Sequence, residues 1–182
     1  MVHLFIGWSR GKRGAGVYLR YWAPGYQHLP AGVLVQQRPN SAIVGAAVAR
    51  SLGYSSWPET AANWHVRLDP VFEAAVDAVV RGDARRLEHL LSRDPSLARG
   101  RSALAHGATL LHYVAANGVE IWRQRVPAAS VRITRLLRYY GADPGATMNV
   151  YDGAFDVASL AQTSSHVARF EHRRALLAAL GC

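Results

Sequence analysis

Gly7-Trp8-Ser9-Arg10-Gly11 has the spacing of a nucleophile elbow, in which a serine is thrust from a tight strand-to-helix turn to attack a carbonyl carbon. The preceding Val2-His3-Leu4-Phe5-Ile6 even reads as a strand. An elbow also needs a strand in the middle of a preformed α/β sheet, with an acid and a histidine downstream. Here the strand would be the first element of a chain that then turns helical, so Ser9 is not expected to be a nucleophile. Gly7 to Lys12 approaches a phosphate-cradling loop, but the spacing is one residue short and Arg13 replaces the magnesium-binding serine or threonine. Both matches read as accidents of a glycine-rich stretch, and a small hydrolase using Ser9 is the third-ranked function.

The histidines do not form a metal site at the level of spacing. His166 and His172 are six positions apart and fall on different helical faces, while His65, His89 and His106 have no cysteine or carboxylate at ligand spacing. No catalytic residue, metal or cofactor is expected. Trp122, Arg123, Gln124 and Arg125 offer a different chemistry, because tryptophan and arginine on an exposed loop are the side chains that dominate binding hot spots. The alternative is that Trp122 folds back onto the protein and the charges are solvated. A further candidate is Arg10 through Tyr26, whose aromatic rings could stack on single-stranded nucleic acid while the arginines contact phosphates.

Charge and composition narrow these options. The chain of 182 residues carries a net charge of +9, and Lys12 is the single lysine among 21 basic residues. Arginine, alanine and glycine in this abundance suggest a GC-rich bacterial gene. No acidic residue precedes Glu59, whereas Arg10, Lys12, Arg13, Arg20, Arg38 and Arg50 do, so six of the nine net charges lie there. From Glu59 onward the remaining fifteen basic residues face all twelve acidic ones, a balance that gives little support for nucleic-acid binding. Cys182 is the only cysteine, so no intrachain disulfide is possible and a reducing cytoplasm is the default. No apolar run approaches the roughly 20 residues of a membrane helix, and no membrane partner is expected.

The elements that position these residues follow from periodicity and caps. Residues 1–40 are dense in glycine and proline and are expected to be an irregular basic tail, with short strands at most over Val2 to Ile6 and Val33 to Gln36. Residues 41–68 are expected to be a helical lead-in, with one helix from Ser41 to Ser51 and a second opened by the capping-box spacing of Ser56 and Glu59 and running through about Val66. Asp69-Pro70 starts a helix with the buried stripe Phe72, Ala75, Val76, Val79 and Val80, and Asp83 caps the next, with Leu87, Leu90 and Leu91 inward. Thr109 caps a third helix carrying Leu111, Val114 and Ala115 on one face and stopping at Gly118. Ile133, Leu136, Leu137 and Tyr140 mark a fourth, closed by Gly141. Leu90-Leu91 recurs as Leu136-Leu137 and Leu176-Leu177, at intervals of 46 and 40 residues.

Thr109, Leu111 and His112 match the T-P-L-H-x-A signature, and Gly141-Ala142-Asp143 matches a repeat-ending turn; these residues resemble the ankyrin repeat. Leu110 replaces the usual proline, Val114 the usual alanine, and about a dozen extra residues separate the helices, where Val119 to Ala129 is expected to leave the stack as a loop. Leu52 to Trp57 is similar to the lead-in of some bacterial ankyrin proteins. The resemblance implies an all-α solenoid of about three helix-turn-helix repeats over residues 69–182, the last one degenerate over Gly153 to Ala161 and completed by an outer helix from Phe170 to Leu180. It implies that Thr109 and His112 bridge neighbouring turns through hydrogen bonds. It also implies a monomeric, non-enzymatic protein that binds an unidentified protein partner through its inner helices and inter-repeat turns; the alternative is a nucleic-acid-associated protein acting through the basic tail.

Overall fold

A computed structural model describes residues 13–37, 39–63 and 66–182. Strand Val2 to Ile6, Ser9 with its flanking glycines, and His65 lie outside the described residues. The chain divides into two compact units, residues 1–65 and 66–182. Both are mainly helical, with eleven α-helices and one two-stranded sheet among the described residues. No helix among the described residues is long and apolar enough to cross a membrane.

The first unit holds α1 (Arg13–Trp22), α2 (Ala31–Gln36), α3 (Ser41–Ser51) and α4 (Trp57–Ala62). Within residues 13–37 two helices stand where an irregular stretch was expected, and Val33 to Gln36 lies in α2 instead of a strand. Ala15, Tyr18, Leu19 and Trp22 are buried at helical spacing, and α1 packs on both α2 and α3. That stripe outweighs the helix-weakening glycines at 14 and 16. The Tyr18 hydroxyl donates to Ser51 Oγ at 2.6 Å, and Ser51 Oγ donates to the Val48 carbonyl at 2.8 Å. Burial pushes the Tyr18 phenol up to about 12. Helix α3 begins where Asn40 accepts the Ile43 N–H at 3.0 Å. At α4 the Ser56 hydroxyl accepts the Glu59 N–H at 3.3 Å, but the Glu59 carboxylate turns to Ser55, accepting its N–H and hydroxyl at 2.9 and 2.6 Å. The helix ends at Ala62, earlier than expected.

The second unit opens with α5 (Pro70–Arg81) and α6 (Ala84–Arg93), capped by Asp69 and Asp83 as the sequence predicts. Gly82 joins them at φ +78°, and a short 3₁₀ turn, Pro95–Arg99, follows. Then come α7 (Leu110–Ala115), the 3₁₀ turn Ile121–Arg123 and α8 (Ser130–Tyr139). Strands β1 (Thr147–Val150) and β2 (Gly153–Asp156) pair antiparallel, with Thr147 opposite Asp156 and Val150 opposite Gly153. Helices α9 (Val157–Thr163), α10 (Ser165–Ala168) and α11 (Arg173–Leu180) complete the chain. Helix α7 packs against α5, α8 and α9, while α8 packs against α6, α7 and α11. Buried Leu87, Leu91, Leu111, Ile133, Leu137, Leu160 and Leu176 supply the core between them.

Four boundaries differ from the sequence reading. Helix α7 stops at Ala116 (φ +49°), before Gly118, and the last helix begins at Arg173 instead of Phe170. The strand pair was not anticipated: its two-residue turn is Tyr151-Asp152, at φ +54° and +63°, and the Asp-Gly pair that usually signals such a turn lies one residue out of register, at Asp152-Gly153. The Tyr151 hydroxyl donates to Asn117 Oδ1 at 2.8 Å, which holds that turn onto the end of α7. Finally, Val119 and Glu120 are buried, so the inserted stretch from Val119 to Ala129 leaves the helices only in part.

Two substitutions test this packing. Leu111→Asp places an unpaired charge at a fully buried position and should abolish cooperative thermal unfolding of the second unit. Gly82→Ala should cost about 1–3 kcal/mol in urea unfolding, because a Cβ there sits 2.8 Å from Pro127 Cβ at a backbone angle disfavoured by L-residues.

Candidate partner-binding site around the insertion

Helix α7 is the platform for the insertion, and its first turn is fixed by a side-chain ring. His112 Nδ1 accepts the Thr109 N–H at 3.0 Å and lies 2.8 Å from Thr109 Oγ1, which assigns the imidazole proton to Nε2. Nε2 itself has no partner at hydrogen-bond length, although the backbone carbonyls of Phe155 and Ala146 favour its protonated form. Burial dominates and pushes His112 down to about 4. The ring is therefore neutral at pH 7.

After Ala116 the chain reverses through Gly118 (φ +79°), where a Cβ would stand 3.0 Å from Val150 Cγ2. Glu120, only 2% exposed, enters beneath the turn that carries Trp122. Arg123 then spans two carboxylates: Nη2 lies 2.6 Å from Glu73 Oε2 on α5, and Nη1 lies 3.0 Å from Glu120 Oε1. Its guanidinium carbon is 5.8 Å from the centroid of the Tyr113 ring on α7. His106 closes the cluster. Its Nδ1 accepts the Ala108 N–H at 3.0 Å, leaving Nε2 facing Glu120 Oε2 at 3.6 Å.

The electrostatics follow from this pairing. Burial alone would weaken the charge on Arg123, but Glu120 and Glu73 outweigh it and hold the guanidinium protonated. Burial likewise opposes ionisation of Glu120, yet His106 and Arg123 keep its carboxyl below the usual range. The Tyr113 phenol is driven up by burial and by the Glu120 carboxylate. Two carboxylates and one guanidinium thus form an ionic cluster in which one oxygen of each carboxylate meets Arg123 and the other, Glu73 Oε1 and Glu120 Oε2, has no hydrogen-bond partner. Its chemistry is that of a clamp.

The sequence candidates separate accordingly. Trp122 is 60% exposed and Arg125 is exposed, whereas Arg123 has 17% of its side chain accessible and Gln124 turns back to donate to the Val119 carbonyl at 2.7 Å. The expectation that all four share one exposed patch is corrected: neighbouring residues on a tight turn point to opposite sides. Of the structural residues, Leu111, His112 and Leu137 are fully buried, Thr109 is buried and Leu136 is half-buried. Gly141 adopts φ +88°, and Asp143 Oδ1 accepts the Gly145 N–H at 2.8 Å. Among the described residues no three His, Cys, Asp or Glu side chains converge as a metal site. Sequence reasoning missed Glu73, His106, Tyr113 and Glu120 as partners of the insertion. One signal was available: Glu120 is the lone acidic residue between Asp94 and Asp143.

Comparison of the chain with protein-family models, with curated proteins and with solved structures finds no match in any of the three.

Arg123→Ala strands a buried carboxylate and should cost about 3 kcal/mol in chemical denaturation, whereas Arg125→Ala should stay within about 0.5 kcal/mol. His112 supplies a pH test with a definite sign. Its folded pKa lies below the unfolded value, so the protein is most stable above about pH 6.5 and loses stability as pH falls toward 4, when the unfolded chain takes up the proton first. The loss attributable to this residue should be about 2–3 kcal/mol between pH 7 and pH 4.5 and should be missing from the slope of His112→Asn.

Proposed function

We propose that residues 69–182 form an ankyrin-like helical solenoid of about three repeats that binds another protein without catalysing a reaction. Several features support this reading. Helix α7 packs between α5 and α9 while α8 packs between α6 and α11, the neighbour order expected of stacked hairpins. The Thr109–His112 ring, local to the first turn of α7, and the left-handed Gly141 ahead of Asp143 are compatible with the repeat signature.

The contact surface differs from the one first expected. Every residue of α7 is buried, so the middle inner helix has no open face to offer. The observation that carries the proposal is Trp122, an indole 60% exposed on a turn anchored by buried Glu120 on one side and clamped Arg123 on the other. An exposed tryptophan on an anchored turn needs little backbone ordering when a partner covers it, which suits a binding hot spot. Arg125 lies exposed in the same segment and adds a charge at the rim.

The test is affinity capture from cell extract with wild type and the Trp122→Ala/Arg125→Ala variant, after both are shown to melt at the same temperature. A partner held by wild type and reduced at least about tenfold by the variant supports the reading. Identical capture by the two proteins overturns the Trp122 surface. Loss of capture only when residues 1–40 are removed, with strong salt dependence and nuclease sensitivity, transfers the function to the basic stretch and a nucleic-acid partner.

A further inference from the structure

Arg123 is held as a bound ligand would be held. One of its nitrogens meets Glu73 on α5 at 2.6 Å, a second meets Glu120 at 3.0 Å, and its plane lies near the ring of Tyr113 on α7 at 5.8 Å. A carboxylate and an aromatic face are the two features by which proteins select guanidinium over ammonium. Glu73 and Tyr113 belong to helices α5 and α7, which pack on each other, and the Glu73 carboxylate lies near enough to act on the Tyr113 phenol. The Glu73 carboxylate is also half used: Oε1 is buried with no hydrogen-bond partner, leaving capacity for a two-pronged pairing that Arg123 does not make.

We infer that Glu73 and Tyr113 form a receptor for an arginine side chain, filled here by the chain's own Arg123, and that an arginine-bearing segment of a protein partner competes with the insertion for it. The identity of the partner's chemistry rests on the protein-binding reading given above; the receptor itself rests on the geometry. With Arg123 withdrawn, Glu73 and Glu120 leave two carboxylates without their shared cation, so the vacated site requires a replacement positive charge. A lysine brings the charge but neither the planar fork nor the stacking surface. The insertion is anchored on both sides of Arg123, at buried Val119 and at Pro127 against Gly82, so its arginine is present at high effective concentration. An incoming arginine therefore binds weakly to the closed protein and more tightly once the insertion is disarmed, by the inverse of the open fraction.

The experiment uses the full chain carrying Arg123→Ala, with ethylguanidinium and ethylammonium as probes at equal ionic strength. Ethylguanidinium should raise the melting temperature of this variant, leave wild type unchanged, and lose its effect in Arg123→Ala/Glu73→Gln; ethylammonium should do markedly less. If Arg123→Ala does not fold alone, recovery of cooperative unfolding on adding ethylguanidinium is the supporting result. The peptide acetyl-Gly-Arg-Gly-amide should bind the variant at least about tenfold more tightly than wild type by calorimetry. Equal effects of the two cations, no recovery with either, or equal peptide affinity for variant and wild type overturns the inference. Such a failure, with Trp122→Ala still losing its partner, removes the receptor and leaves the protein-binding surface standing. Ethylguanidinium rescue with unchanged capture by Trp122→Ala supports the receptor and removes that surface.

Discussion

A helix of six residues does not persist in water by itself, so α7 exists because its neighbours close around it. All six residues are buried, its first turn is closed by one of its own side chains, and its end is tied through the flanking turn to residues elsewhere in the unit. At the start, the His112 ring occupies the Thr109 N–H. At the end, Asn117 donates to the Leu160 carbonyl and to Thr163 Oγ1 at 3.0 and 3.1 Å, and the Ala116 carbonyl accepts from Ser164 Oγ at 3.2 Å. These bonds give the left-handed Ala116 a reason to hold its conformation, which would otherwise cost about 1 kcal/mol or more. The β-turn at Tyr151 joins the same knot through Asn117. The constraint is mutual: α9 and the strand pair also take their places from α7.

Complete burial of an inner helix creates an electrostatic problem on the side where the insertion returns. Glu120 enters a region bounded by His106, Tyr113 and Glu73, and a lone carboxylate there would be strongly destabilising. Arg123 resolves it by sharing its charge between Glu120 and Glu73, which ties the insertion to α5 as well as to α7. Such an arrangement contributes little net stability compared with apolar packing, because two carboxylates and a guanidinium must all be desolvated. What it supplies is register. Both nitrogens reach their oxygens while the guanidinium carbon stays 5.8 Å from the Tyr113 ring centroid, so the turn is held to α5 and α7 together.

The elements most legible in the sequence were those whose signals are local. Asp69, Asp83 and the leucine pairs placed α5, α6 and α8 because a cap and a 3.6-residue stripe act within a few residues of each other. The stripe of α1, at positions 15, 18, 19 and 22, is equally local, but it lies among glycines and prolines whose own signal is for irregular structure. The insertion was illegible for a different reason. Its inward turn depends on Glu73, 50 positions away from Arg123, and no spacing rule connects the two. The strand turn at Tyr151-Asp152 was hidden for a related one: tolerance of its positive φ angles is supported by a bond to Asn117, 34 positions earlier.

Composition therefore singled out a segment without distinguishing its residues. Tryptophan and arginine were grouped as one contact patch, yet the 3₁₀ turn sends Trp122 outward and Arg123 into the cluster. The separation has a physical consequence for how the segment is interrogated. Removing Trp122 deletes exposed apolar surface and leaves the ionic cluster intact. Removing Arg123 disturbs the platform itself, and any loss of association that follows reports on the position of the turn as much as on the missing charge. Adjacent side chains in one three-residue turn thus differ in kind, one an exposed apolar surface and the other a member of the ionic cluster that holds the turn in place.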